Sequence, residues 1–117
     1  MQILVIDDEQ IMRDGCSRIL SKDGWGVICS ENGKLGLGEI QTRLDKIDVI
    51  LLDLMMPGMS GMEVLDQIRV IDPNLLVIVI TGYGSVESAV EAMKRGAYYY
   101  VAKPSSADEI LIQVEHA

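Results

Sequence analysis

The stretch "LVIDDEQ" (4–10) ends an apolar run in the acids Asp7, Asp8 and Glu9. Carboxylates side by side repel, so such a run must reach water or a cation. Other apolar runs also end in chemically useful groups: Asp53 after "DVILL" (48–52), Thr81 after "LLVIVI" (75–80) and Lys103 after "YYYVA" (98–102). A carboxylate can bind a hard metal ion or act as a nucleophile. A hydroxyl and an ammonium group can hold phosphoryl oxygens. Each residue alone has an ordinary explanation. Asp8 and Glu9 suit a helix N-terminus, Asp53 a turn, Thr81 a strand end, and lysine is usually exposed. The chemistry depends on whether the fold gathers them.

Two patterns alternate along the chain. Continuous β-branched runs at 3–6, 25–29, 48–52, 75–80 and 98–102 read as strands covered on both faces of a parallel sheet. Helical spacing lies between and after them. Its stripes are Met12, Cys16, Ile19 and Leu20; then Leu37, Ile40 and Leu44, diluted by Gly36 and Gly38; then Val64, Leu65, Ile68 and Ile71. Val86, Ala89, Val90 and Met93 form a fourth stripe, and Ala107, Ile110, Leu111 and Val114 a fifth. Ser60 with Glu63 and Ser106 with Glu109 have capping-box spacing, Asp72-Pro73 closes the third helix, and Gly24 and Gly96 follow the first and fourth.

This alternation implies an α/β fold: a (βα)5 flavodoxin-like three-layer sandwich with a five-stranded parallel sheet in the order 2-1-3-4-5. A TIM barrel needs about eight such units, more than the chain holds. In the expected order, sites form outside the carboxyl ends of the strands, near the switch between strands 1 and 3. Asp7 and Asp8 end strand 1 and Asp53 ends strand 3; Thr81 and Lys103 end strands 4 and 5.

Carboxylates gathered in one crevice need relief. Two charges about 4 Å apart repel by ~4 kcal/mol at an effective dielectric near 20. All-oxygen ligands without His or Cys select a hard ion, and few protein ligands with several waters suit Mg2+ rather than zinc. Such an ion beside a lysine and a hydroxyl forms an apparatus for phosphoryl groups. Asp53, across the crevice from the pair on strand 1, is the best candidate for a nucleophile that forms an aspartyl phosphate.

Composition narrows the classes. The 117 residues suit one domain, and 49% hydrophobic content is enough for a core. A net charge of -8 argues against a nonspecific grip on nucleic acid phosphates. No apolar run approaches the roughly 20 residues of a bilayer span, and "MQILV" has no basic region, so a soluble chain without a signal peptide is expected. Cys16 and Cys29, in apolar surroundings, read as reduced structural thiols of a cytoplasmic protein.

The motifs "VIDDE", "DVILLDLMMPGMSGMEVL", "VIVITGYGS" and "AYYYVAKP", in this order and spacing, resemble the receiver domain of bacterial two-component response regulators over essentially the whole chain. The stretch "TGYGSVESAVEAMKRGAYYYVAKP" looks most like receivers of sigma-54-dependent transcription activators. The resemblance implies that Asp53 accepts a phosphoryl group from a phosphohistidine on a sensor histidine kinase. It implies Mg2+ bound by the Asp8 and Asp53 carboxylates and the Met55 backbone carbonyl, with Asp7 acting through a metal-bound water. Thr81 and Lys103 would hold phosphoryl oxygens, and Gly82 would leave room for the group. Tyr100 matches a switch aromatic that turns inward when Thr81 is drawn to the phosphate, and Lys103-Pro104 would carry a cis peptide.

On the same resemblance, helix 4, strand 5 and helix 5 form the output surface, serving an output domain that binds DNA or a homodimer. The receiver itself would contact neither nucleic acid nor membrane. Receivers usually carry a longer fifth helix and a linker, so residues 1–117 are expected to be a receiver domain from a longer regulator or a short-ended single-domain one. Met55 and Tyr83 fall at positions that tune phosphoryl lifetime, and Tyr99 replaces a frequent acid. The resemblance makes Met56-Pro57 and Gly61 of the methionine-rich "MMPGMSGM" (55–62) ordinary loop architecture, with a methionine docking surface as the sharper option.

Other classes fit less well. A Mg2+ phosphatase of the haloacid dehalogenase type places a second Asp two residues after the nucleophile, where this chain has Met55. A nucleotide or flavin module on the same fold lacks support, because "GKLGLG" (33–38) opens helix 2 instead of following strand 1. A degenerate receiver used only for docking would not keep Asp7, Asp8, Asp53, Thr81 and Lys103 together.

Overall fold

Each apolar run becomes a strand, within one or two residues of its expected bounds. The structure, a computed structural model, describes residues 1–43, 45–56, 58–81 and 86–102, with only the backbone of Val86 and Ala102. The strands are β1 (Gln2–Ile6), β2 (Gly26–Ser30), β3 (Val49–Asp53), β4 (Leu76–Thr81) and β5 (Tyr99–Ala102). All pair in parallel, in the order β2-β1-β3-β4-β5. Ile6 lies opposite both Ser30 and Leu52, Asp53 opposite Ile80, and Thr81 opposite Ala102. This register brings the strands' carboxyl ends to one rim.

Strand alternation divides the core. Ile3, Val5, Val49, Leu51, Ile78 and Ile80 face α1 (Gln10–Lys22), which buries Cys16 and Leu20 against them. Leu4, Ile6, Ile50, Leu52, Val77 and Val79 face the opposite layer of α2 (Gly33–Thr42), α3 (Gly61–Ile71) and α4 (Val86–Lys94). The central strand β3 is buried along its whole length. Burying a side chain of this size contributes about 1.5–3 kcal/mol, so these two apolar layers hold the rim in place.

Local signals set the helix ends. The Ser60 Oγ accepts the Glu63 N–H at 3.3 Å, and Gly24 and Gly96 end α1 and α4 with φ of 89° and 99°. An unanticipated cap starts α2, where the Asn32 side chain accepts the Leu35 N–H at 2.8 Å. The fifth helix with its Ser106–Glu109 box, Leu44, Pro57 and His116 lie outside the described residues. None of the described helices is long and apolar enough to cross a membrane.

The structure corrects two readings. The α4 stripe is rotated from its expected face: Ala92 is fully buried, whereas Val90 and Met93 are 47% and 45% exposed. Small side chains let α4 sit close to the sheet, and the larger ones turn outward. Cys29 is exposed on the edge strand β2, although Cys16 is buried as expected. Partial burial of the Cys29 sulfur pushes its thiol pKa above the ordinary value; Arg13 opposes this and Asp14 adds to it. Less thiolate forms at neutral pH, so Cys29 should alkylate with iodoacetamide more slowly than a free thiol, the rate still climbing above the usual thiol pKa. A pH–rate profile levelling at the ordinary thiol pKa contradicts this.

The glycines of the helices are not equivalent. A Cβ at Gly36 would lie 2.5 Å from Ile6 Cδ1, inside the core, while Gly15 and Gly38 have open space around the same position. Gly15→Ala and Gly38→Ala should each raise stability by about 0.5–1 kcal/mol, and Gly36→Ala should lower it. Urea unfolding midpoints check the ranking; a loss for Gly38→Ala contradicts it.

Candidate functional site

The rim over β1 and β3 is where the acids meet. Because Ile6 opposes Leu52, the next residues, Asp7 and Asp53, continue level with one another on the α1 face. Asp7 extends the β1–β2 ladder, its N–H donating to the Ser30 carbonyl at 3.1 Å. Oxygens of Asp7, Asp8 and Asp53 all lie within 4.8 Å of one another. Asp7 and Asp53 are each 3% exposed, whereas Asp8 is open to water.

Backbone contacts fix the two buried acids. Asp7 Oδ1 accepts the Glu9 N–H at 2.9 Å, which closes an Asx-type turn leading into α1. Arg13 Nη1 donates to the Asp7 carbonyl at 2.8 Å from within α1. Asp53 Oδ1 accepts the Met55 N–H at 3.1 Å. Glu9 is the N-cap residue of α1 and lies outside the three-carboxylate group. The apolar run that opens the chain thus ends in two acids that join a cluster, of which Asp7 also shapes the turn, and a third, Glu9, that precedes α1.

A glycine holds the wall behind Asp53. The Gly61 N–H donates to the Leu54 carbonyl at 3.0 Å, and a Cβ at Gly61 would lie 2.4 Å from both the Asp53 oxygen and Leu54 Cα. The first residue of α3 therefore touches the backbone of the site. Sequence reading took Gly61 for loop architecture; its place directly after the capping Ser60 was the available signal. Arg13 and Ser88 were also missed, since neither belongs to a run that ends at the rim.

On the neighbouring strand, Thr81 closes β4 and is 1% exposed. Alternation places it with Val77 and Val79, on the α2–α4 face. Tyr100 of β5 packs against the same apolar cluster, half-buried, and its hydroxyl lies 3.1 Å from the Ser88 Oγ of α4. Lys103, Gly82, Tyr83 and the Lys103-Pro104 peptide bond lie outside the described residues. Met56 is 8% exposed in the core, and Met59 and Met62 pack against it, so of these methionines Met55 alone is substantially exposed, at 53%. Three of the four methionines thus pack into or against the core, in keeping with the loop reading.

The donor set suits a hard divalent cation. It is all oxygen and contains neither histidine nor cysteine. Two carboxylates form a buried wall and the third opens to solvent, which leaves a side for coordinating waters, as Mg2+ prefers. A cation there would also relieve the repulsion of three like charges.

Comparison with known proteins agrees with this geometry. The family model described as "Response regulator receiver domain" matches residues 3–115. Sporulation initiation phosphotransferase F of Bacillus subtilis is 37% identical over 109 residues, covering 93% of this chain and 86% of that protein. Regulatory protein AtoC of Escherichia coli is 36% identical over 119 residues, covering 99% of this chain and 25% of that protein. A response regulator receiver domain from Clostridium thermocellum superposes with a TM-score of 0.92 at 36% identity, over 98% of this chain and 91% of that one. The chain spans 31%, 47% and 25% of three of the curated relatives it matches.

Proposed function

The chain belongs to the response regulator receiver domain family of phosphorelay signalling, and from that premise we propose that it is a phosphorylation-dependent switch with Asp53 as its phosphoacceptor. The observation that carries this reading is the meeting of Asp7, Asp8 and Asp53 within 4.8 Å at the carboxyl ends of neighbouring strands. An Asp53 carboxylate oxygen attacks phosphorus of a phosphohistidine on a sensor histidine kinase. The P–N bond breaks, a P–O bond forms, and the histidine leaves with its electron pair and takes up a proton. Asp8 and Asp53 would hold Mg2+ through carboxylates, Met55 through its carbonyl and Asp7 through water. When bound, the cation neutralises oxygens that carry charge during transfer.

Thr81 and Lys103 take the remaining phosphoryl oxygens. The new dianion biases Thr81, and through it Tyr100, toward one of two arrangements. The altered surface includes α4, β5 and helix 5. Its apolar character supports an interaction role: Val90 and Met93 of α4 are 47% and 45% exposed, and Tyr98 and Tyr99, where β5 begins, are each 43% exposed. The partner on that surface is an output domain, of a DNA-binding kind, or a second receiver, within a cytoplasmic regulator. The domain is regulatory, acting only on its own phosphoryl group, and the family match over residues 3–115 supports reading the chain as a receiver domain.

The test is phosphoryl uptake from acetyl phosphate with and without Mg2+, followed by intact mass. One phosphoryl group should appear only with the cation. Asp8→Ala should weaken Mg2+ binding at least tenfold, about 1.4 kcal/mol or more. Unchanged Mg2+ affinity removes Asp8 from the ligand set, and uptake indifferent to a chelator overturns the cation's role.

A further inference from the structure

The hydrogen bond between Ser88 and Tyr100 joins the two elements on which the switch reading depends. Tyr100 sits on β5 opposite Val79, and Ser88 lies in the first turn of α4. Their oxygens are 3.1 Å apart, and the bond is part-buried. Tyr100 makes it while packed against the core on the face that carries Thr81. Only α4 offers this contact among the hydrogen bonds described for the Tyr100 hydroxyl. A tyrosine swung out to solvent about its side-chain torsions would carry its hydroxyl away from this core-facing position.

We propose that Ser88 is a positioning residue for the switch: its hydroxyl latches Tyr100 in the core-packed orientation and ties the start of α4 to β5. The inference rests on the switch reading above and adds to it a residue and a direction. Phosphorylation favours the inward tyrosine, so the latch and the phosphoryl group stabilise the same arrangement. Losing the latch therefore lowers affinity for a phosphoryl mimic at Asp53, because that ligand must then select a less populated state. A single neutral hydrogen bond sets the scale at about two- to tenfold. The arrangement also explains why a small polar residue stands on the inner side of α4, where Ala92 is fully buried.

The experiment compares wild type, Ser88→Ala, Tyr100→Phe, the double variant and Ser88→Thr, with Mg2+ present. In the unliganded proteins, NMR of the Tyr100 ring and of the α4 amides reports the orientation directly. Ser88→Ala and Tyr100→Phe should move the same α4 amides in the same direction, and Ser88→Thr should restore them. Beryllofluoride affinity should fall about two- to tenfold in either single variant and no further in the double variant. Unfolding in urea, read alongside, separates this from a general loss of stability. Independent, multiplying effects of the two substitutions overturn the latch. So do unchanged ring signals and affinity accompanied only by a shift in the unfolding midpoint. If wild type binds no beryllofluoride, the switch reading fails, and the unliganded spectra still decide whether Ser88 holds Tyr100.

Discussion

Asp53→Ala is expected to abolish phosphoryl uptake while the protein remains folded. Asp53 is the last residue of β3, whose apolar residues are buried between two helical layers, so the strand does not depend on the carboxylate for its place. The substitution removes the acceptor of the Met55 N–H, a loss of about 0.5–1.5 kcal/mol, and removes one of three mutually repelling acids. These effects oppose one another, so stability should change by no more than about 1–2 kcal/mol. Uptake, in contrast, has among the described residues no other buried carboxylate at the end of the strand that neighbours β4; Asp7, equally buried, lies on β1's side. Asp53→Asn keeps an oxygen for the Met55 amide and should also fail to be labelled. Intact mass after acetyl phosphate treatment, paired with urea unfolding, reads both quantities. Uptake persisting at the wild-type rate in either variant contradicts the assignment.

Gly61→Ala should produce the second large effect, by a different route. Its Cβ would meet the Asp53 carbonyl oxygen and Leu54 Cα at 2.4 Å, and neither is the free end of a flexible side chain. Either α3 backs away from the sheet or the segment that carries Asp53 moves. Overpacking of this kind costs about 1–3 kcal/mol. It also breaks the alignment of Asp53 with the other acids, and a displacement near 1 Å can slow a reaction by about a hundredfold. The unfolding midpoint should drop, and phosphoryl uptake should slow at least tenfold under conditions where the variant is fully folded. Unchanged uptake in a destabilised variant would confine Gly61 to the packing of α3.

Much of the fold was legible because one physical signal, continuous apolar character, marks strands buried on both faces. β3 and β4 illustrate this, since their runs leave no choice of an exposed face. The site was legible for the same reason. The polar residue that ends each run must lie at the rim, which located Asp7, Asp53 and Thr81 before any contact was known. α4 was harder. Val90 and Met93 have helical spacing with Ala89, and apolar size suggested they face inward. The layer instead closes over Ala92, because close approach to the sheet favours the small side chain. Cys29 misled similarly: its sulfur lies 3.9 Å from the Arg13 carbonyl of α1, yet on an edge strand the helix leaves it exposed. Arg13, Gly61 and Ser88 act through tertiary contacts with backbone or hydroxyl partners distant in sequence, and no local pattern announces such contacts.

The switch reading stands on Asp53 as the phosphoryl seat, within a cluster completed by Asp7 and Asp8. The most direct measurement is site mapping of the wild-type protein after treatment with Mg2+ and acetyl phosphate, using reductive trapping of the acyl phosphate and peptide mass analysis. Asp53 should be the single trapped residue. Trapping at another acid, or a stable phosphate on a hydroxyl with Asp53 unmodified, would contradict it.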